Sequence, residues 1–246
     1  MSLTLRAVTV SDQGLVRANN EDAALAGRRL IAVADGVGGS PAGEVASELV
    51  IGELRELDGR WDGTHAEERL RSALTDANRA VGHAAEDPAN RGMGTTVTAL
   101  LLDGDRFAVV HIGDSRGYLL RDGELRQFTR DDTYVQELVD RGVLTAEEAR
   151  RHPQRSLVTR AVHGQPLPPA GSWLPARSGD RVLLCSDGLS DYVSDQAIAD
   201  ALGSFPEPQP CAERLVKLAL QVGAPDNVTV VVADLVADLA ADLAAG

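Results

Sequence analysis

Acidic residues recur at the ends of apolar runs in this chain, and that placement is its first chemical signal. AVADGVGG ends its apolar run at Asp35, VVHIGDSR at Asp114, and VLLCSDGLSD at Asp187, with Asp191 four residues on. GAPDNVTVVV sets Asp226 just before an apolar run, and NNED sets Glu21 and Asp22 before the run that leads to Asp35. A single Asp-Gly pair is an ordinary turn, because both residues tolerate the backbone angles that a turn needs. Asp103 and Asp122 fit that reading, since each stands in a tight connection between apolar runs. The other aspartates lead into longer or helical segments. If Asp22, Asp35, Asp187 and Asp226 converge on one edge of a sheet, their mutual repulsion must be offset. Two carboxylates ~4 Å apart repel by ~4 kcal/mol even at an effective dielectric of ~20. Three or four together stay ionised only around a multivalent cation.

The donor atoms narrow the choice of cation. No histidine or cysteine stands beside these acids with metal-ligand spacing; His65, His83 and His163 lie in unrelated segments. An oxygen-only set suits Mg²⁺, Mn²⁺ or Ca²⁺ rather than Zn²⁺. The chain has no Asp-x-Asp-x-Asp-Gly loop, which argues against a calcium sensor. Two ions sharing a bridging aspartate match the two-metal pattern of hydrolysis, with water as nucleophile. Arg17 precedes Glu21 by four residues, and a guanidinium grips two phosphate oxygens at once. The loop Asp35-Gly36-Val37-Gly38-Gly39 fails as a dinucleotide fingerprint, because Pro41 stands where G-x-G-x-x-G needs glycine. Its glycines instead let the backbone approach a metal, so that a carbonyl can join the shell.

Composition excludes several other classes. The chain has 246 residues, 37 acidic and 24 basic, for a formal charge of −13. That acidic balance is the opposite of a general nucleic-acid binder. Only Lys217 is lysine, and it lies far from any glycine-rich loop, so a phosphate-binding P-loop is absent. No apolar run approaches the ~18–20 residues of a membrane span. The N-terminal residues lack the basic head and apolar stretch of a secretory signal, and Cys185 and Cys211 are too few for a disulfide scaffold. A cytoplasmic protein is the expectation. Cys185, inside an apolar run, reads as a small buried hydrophobe rather than a nucleophile.

The elements that must position the acids are legible as apolar periods. Runs at 30–34, 95–102, 107–112, 117–120, 181–185 and 228–233 read as strands, rich in Val, Ile and Leu and bounded by turn residues. Asp103-Gly104-Asp105 and Asp122-Gly123 read as hairpin turns, which makes the sheets antiparallel at least in part. Residues 42–57 form a helical pattern with Val45, Leu49, Val50 and Leu54 on one face. Thr64 and Glu67 have the spacing of a capping box for a second helix carrying Leu70, Leu74, Ala77 and Val81. Ser194 caps a short helix with Ile198 and Leu202, and 211–222 is helical. Residues 131–163 read as an insertion with two short helices broken at Gly142, Thr145 and Glu148 forming a capping box. The terminal DLVADLAADLAAG reads as a short amphipathic or frayed helix. The distribution predicts helices packed outside stacked antiparallel sheets.

Seven segments carry a resemblance: RANNED (17–22), VADGVGG (33–39), GTT (94–96), GDSRGY (113–118), HPQRSLVTRAVHG closing the insertion, LLCSDGLSD (183–191) and PDNVTVVV (225–232). Together, and in this order, they resemble the metal-dependent Ser/Thr protein phosphatases of the PPM (type 2C) family in its bacterial form. The resemblance implies an α+β fold, a four-layer α-β-β-α sandwich of two stacked, mainly antiparallel sheets flanked by helices. It implies a single phosphatase domain over 1–236, a flap subdomain at about 131–160, and a short Asp/Leu/Ala tail over 237–246. It makes Asp35 the bridging ligand, the Gly36 carbonyl a ligand of the first metal, and Asp187 and Asp226 ligands of the second. Asp22 and Glu21 would act mostly through metal-bound waters, and Arg17 would grip the substrate phosphate. Asp114, Asp187 and Asp191 would form a third, weaker metal site.

The activity so implied is hydrolysis of phosphoserine and phosphothreonine on proteins. A water bridging two divalent metals attacks phosphorus directly, with two or three Mn²⁺ or Mg²⁺ ions as cofactors. Implied partners are phosphorylated proteins, a Ser/Thr kinase among them, without nucleic acid or membrane, and the chain is expected to be a monomer. Val37 stands where many eukaryotic relatives carry a histidine suggested as general acid, and a valine donates no proton. A metal-bound water is then the expected proton donor, and His152 reads as a structural or capping residue. Asp132 and Ser156 stand where close relatives often have His and Asn. Two alternatives remain open at this point: a catalytically weak phosphoprotein-binding relative, and a two-metal hydrolase of other phosphoesters.

Overall fold

The computed structural model describes residues 3–37, 42–167 and 171–238. The chain begins with strands β1 (Leu3–Asp12), β2 (Asp22–Ala26) and β3 (Leu30–Val37), then helices α1 (Ala42–Arg60) and α2 (Ala66–Ala84). Strands β4 (Gly94–Thr95), β5 (Val97–Asp103), β6 (Arg106–Ile112), β7 (Arg116–Arg121) and β8 (Glu124–Gln127) come next. Short helices α3 (Tyr134–Asp140) and α4 (Ala146–Arg150) precede β9 (Ser172–Pro175) and β10 (Arg181–Cys185). The chain closes through α5 (Asp187–Ser190), α6 (Asp195–Ser204), α7 (Pro208–Gln221) and β11 (Val228–Ala237).

Why this becomes four layers is visible in β3. Successive side chains of a strand point to opposite faces. Leu30, Ala32 and Ala34 pack with Val50 and Leu54 of α1 and Leu70 of α2, whereas Ile31 and Val33 pack with Leu184 and Val231 of another sheet. β11 does the same in mirror order: Val228, Val230 and Val232 meet Leu215 of α7, while Val231, Ala233 and Leu235 face the first sheet. A strand with one wet face would alternate apolar and polar residues; these runs are continuously apolar because both faces are covered. One sheet has the order β1-β11-β10-β7-β8, the other β2-β3-β5-β6-β9 with β4 paired to β3. Every named strand pair is antiparallel. Helix, sheet, sheet and helix therefore stack as expected.

Turn and cap chemistry largely agrees with the sequence. Asp122 and Gly123 both take positive φ, 53° and 82°, and close β7 onto β8 with a two-residue turn. The Thr145–Glu148 capping box forms, Ser194 accepts from the Ala197 amide, and Gly142 has a φ of 69° after α3. Three expectations are corrected. Thr64 does not cap α2: its hydroxyl bonds Asp62, His65 takes a left-handed φ of 56°, and Glu67 reaches the Trp173 indole instead. Residues 234–237 are not helical but extend β11, because β1 pairs along its whole length up to Leu3↔Ala237. Strands β1, β2, β8 and β9 are additional to those predicted. The rest of the terminal tail, residues 239–246, lies outside the described residues, as do Gly38 and Gly39.

Candidate active site

The acids predicted from the sequence fall at one end of the sandwich. Asp22 opens β2 and is the cross-strand partner of Asp35 near the end of β3. Directly opposed residues have Cβ atoms ~5 Å apart, so two like charges share one spot. Asp22 also reaches the other sheet: its Oδ2 accepts from the Ser186 hydroxyl at 2.8 Å, just beyond β10. Ser186 Oγ in turn accepts from the Thr229 amide of β11 at 3.0 Å. Asp187 comes directly after Ser186 as the first residue of α5, and Asp226 stands two residues before β11. Asp114 lies in the β6–β7 connection, 7% exposed, and Asp191 comes directly after α5.

Mutual repulsion is written into their proton affinities. Asp35 is held well above the usual carboxylate range by burial first, then by Asp22, Asp187, Asp114 and Asp226. Asp187 is raised the same way, by burial and then by Asp114, Asp191, Asp226 and Asp22. Burial pushes Asp22 up to about 6, and burial with Asp131 and Asp191 pushes Asp114 up to about 7. Burial also raises Asp191, against the pull of Arg116 and of Arg155, whose Nε stands 3.3 Å from its carboxylate.

Among the described residues, no three acidic, histidine or cysteine side chains are gathered closely enough to hold an ion as they stand. The acids share an end of the molecule, where Arg17 holds Asp226 and Ser186 holds Asp22. Two observations nevertheless fit a divalent cation there. Asp22 Oδ1 is buried without a hydrogen-bond partner, a costly state for a carboxylate oxygen unless something else satisfies it. The surrounding donors are all oxygens, the chemistry of Mg²⁺ and Mn²⁺.

The backbone around the acids is held by residues to which the sequence gave no role. The Asp35 amide donates to Thr96 Oγ1 at 3.0 Å, and its carbonyl accepts from the Thr96 amide and the Thr95 hydroxyl, each at 2.8 Å. Gly36 is required by packing. A Cβ there would lie 2.6 Å from the Gly43 carbonyl carbon at the start of α1. Glu21 is 5% exposed, accepts from Asn19 and carries a main-chain oxygen bonded by Ser47. Thr96, Ser186 and Asn227 lie inside the segments GTT, LLCSDGLSD and PDNVTVVV, and that membership was the signal that could have found them. Arg17 Nη2 donates to Asp226 Oδ2 at 2.7 Å, across 209 residues of sequence. Cys185 and Cys211 are fully buried, and burial pushes their thiols up to about 12 and about 11, so neither serves as nucleophile. His152 accepts from the Gln154 amide, consistent with a structural role.

A profile described as protein phosphatase 2C matches residues 16–226. The chain belongs to the protein phosphatase 2C family. It is 56% identical over 236 residues to the serine/threonine protein phosphatase PstP of Mycobacterium tuberculosis, covering 96% of this chain and 46% of PstP. The chain thus spans about half the length of that relative. It is 36% identical to the protein phosphatase PhpP of Streptococcus pneumoniae, covering 92% of this chain and 96% of PhpP. The catalytic domain of PstP, solved in complex with two manganese ions, superposes with a TM-score of 0.90 at 54% identity, over 96% of this chain and 100% of that one. The two stacked antiparallel sheets of this chain are the architecture of that family. Among the described residues, no helix is long and apolar enough to cross a membrane.

Burial of these acids makes the cation-free fold pH-sensitive. A carboxyl whose folded pKa exceeds its unfolded value binds its proton more tightly when folded, so stability grows as pH falls. The penalty from Asp22 and Asp114 is complete above about pH 7 and is relieved as pH falls from their raised values of about 6 and about 7 toward the ordinary 3.8. In EDTA the unfolding temperature is therefore expected to rise between pH 8 and pH 5.5, while the increment given by Mn²⁺ shrinks. Melting curves that are flat in that window would contradict a shared burial of these acids.

Proposed function

We propose that this chain hydrolyses phosphoserine and phosphothreonine on proteins, using two divalent cations of the Mn²⁺ or Mg²⁺ class held between the ends of its two sheets. The observation that carries the reading is the convergence of acids from both sheets beside Arg17, joined where Asp22 meets Ser186. Asp35 would bridge the cations, with the Gly36 carbonyl completing one shell and Asp187 and Asp226 the other. Asp22 and Glu21 would act through water, and Asp114, Asp187 and Asp191 would hold a third cation. When bound, the ions supply Lewis acidity that makes water nucleophilic and offset the charge on the phosphoryl oxygens. Asp35 and Asp187, crowded by like charges, would give up their bound protons to that positive field. Arg17 is paired with Asp226; with Asp226 held as a metal ligand, the guanidinium would be free to bind two phosphoryl oxygens and orient the ester. Val37, half-buried at the end of β3, donates no proton, so a water of the metal site would protonate the departing alcohol.

Residues 131–160 would act as a flap beside the acids, since Arg155 reaches Asp191. Substrates would be phosphorylated proteins, a Ser/Thr kinase and its targets among them. Hydrolysis of a phosphothreonine peptide and of p-nitrophenyl phosphate, each with Mn²⁺ and with EDTA, tests the reading. Mn²⁺-dependent release from both is expected; no release, or release from phosphodiesters alone, would refute it. Arg17→Ala is expected to raise KM for the peptide about tenfold or more while kcat falls less, because the lost contact forms in the ground state as well. A loss confined to kcat would contradict the phosphate grip.

A further inference from the structure

One side chain makes three of the hydrogen bonds that fasten the loop presenting Arg17. Residues 13–21, between β1 and β2, belong to no strand or helix. The side-chain amide of Asn227 joins both ends of that loop: Oδ1 accepts from the Glu21 amide, while Nδ2 donates to the Gln13 and Asn19 carbonyls, all at 2.9 Å. Asn227 is 5% exposed, so water does not substitute for these bonds. Gln13 Nε2 then donates to the Arg17 carbonyl at 2.6 Å, and the Leu15 amide donates to the Ala224 carbonyl at 2.9 Å. On the other side, the main-chain amide of Asn227 donates to Asp226 Oδ1 at 2.9 Å. That leaves Oδ2 of the same carboxylate for Arg17.

We propose that Asn227 is a positioning residue for the phosphate grip. It fixes loop 13–21 over Asp226, so that Arg17 and the second cation's ligand are presented by one rigid unit. The proposal rests on the reading of Arg17 as the group that binds the substrate phosphate. The chemistry requires an amide: one acceptor faces Glu21 and two donors face carbonyls, a set that neither an aspartate nor an alanine supplies. The anchor's main chain packs closely on α5, since a Cβ on Gly188 would lie 1.9 Å from the Asn227 carbonyl oxygen. Preorganisation of this kind acts on binding, because a loose loop must be ordered each time substrate arrives.

The test is a double-mutant cycle with a phosphothreonine peptide at saturating Mn²⁺, with amide exchange of residues 14–20 alongside. Asn227→Ala and the isosteric Asn227→Asp are each expected to raise KM about tenfold with kcat within about threefold, and to speed that exchange. In an Arg17→Ala background the same changes are expected to move KM less than about twofold, because the group they position is gone. Gln13→Ala, at an exposed position, should reproduce a smaller KM rise without burdening the fold. Equal effects in both backgrounds, a wild-type KM for Asn227→Asp, or unchanged exchange would each overturn the proposal. If Arg17→Ala alone leaves KM unchanged, the phosphate-grip reading fails, and the exchange data alone then decide whether Asn227 holds the loop.

Discussion

Asp35→Asn is expected to lower kcat on a phosphothreonine peptide by ~10²–10³-fold, the scale lost when one electrostatic stabiliser of a transition state is removed. The substitution preserves size. It also preserves the bonds of the Asp35 amide and carbonyl to Thr95 and Thr96, since these are made by the main chain. What it removes is the charge at the point where Asp22, Asp187, Asp114 and Asp226 all press on one carboxyl. Stability should move the other way. Without cations, that charge is opposed by its neighbours, so the variant is expected to melt in EDTA at or above the wild-type temperature. The stabilisation that Mn²⁺ gives the wild type through mass action should be largely lost. Paired melting curves and calorimetric titration with Mn²⁺ check this. Retention of more than about a tenth of wild-type activity would remove Asp35 from the bridging position.

Gly188→Ala is expected to be the most damaging small substitution. Gly188 lies in α5, directly after Asp187, and a Cβ there would stand 1.9 Å from the Asn227 carbonyl oxygen and 2.9 Å from its carbonyl carbon. Both are backbone atoms leading into β11, which is paired on one side with β1 and on the other with β10. Neither neighbour can rotate away, so α5 or the start of β11 must shift. Overpacking of this kind costs about 3 kcal/mol at the upper end of its usual range. For a domain of this size that lowers the unfolding temperature by roughly 6–12 °C. Because the shift separates Asp187 from Asp226, affinity for Mn²⁺ should fall as well. An unfolding temperature within about 2 °C of wild type would show that this contact yields easily.

Much of the fold was legible because its strands are buried on both faces. β10 was read with its observed ends from a continuous apolar run, and β3, β5, β6 and β11 were found with errors at their ends. β2 was missed: DAALA carries no β-branched residue and looks as helical as extended. β8 and β9 are four residues each at sheet edges, too short and too exposed to stand out. β1 carries Thr4, Arg6 and Thr9 among its apolar residues because it is an edge strand with one neighbour, β11. The same pairing explains why 234–237 is strand despite its helical look: a partner strand supplied bonds that local propensity did not foresee. Thr64 failed as a cap because Asp62, two residues away, offered its hydroxyl a nearer partner.

The site divides along the same line. Its reactive inventory was determined by sequence alone. Oxygen-bearing acids at the ends of apolar runs, Arg17 four residues before Glu21 and no histidine among the acids leave little chemistry other than divalent cations and an anionic substrate. Which acids meet was decided by tertiary structure. Asp22 finds Ser186 across 164 residues and Arg17 finds Asp226 across 209. Side-chain period places a residue on a face of its own strand, but says nothing about which distant strand end lies beside it. Nor can charge assemble such a centre, since the acids repel one another. The packing of Ile31, Val33, Leu184 and Val231 between the two sheets holds them together against that repulsion.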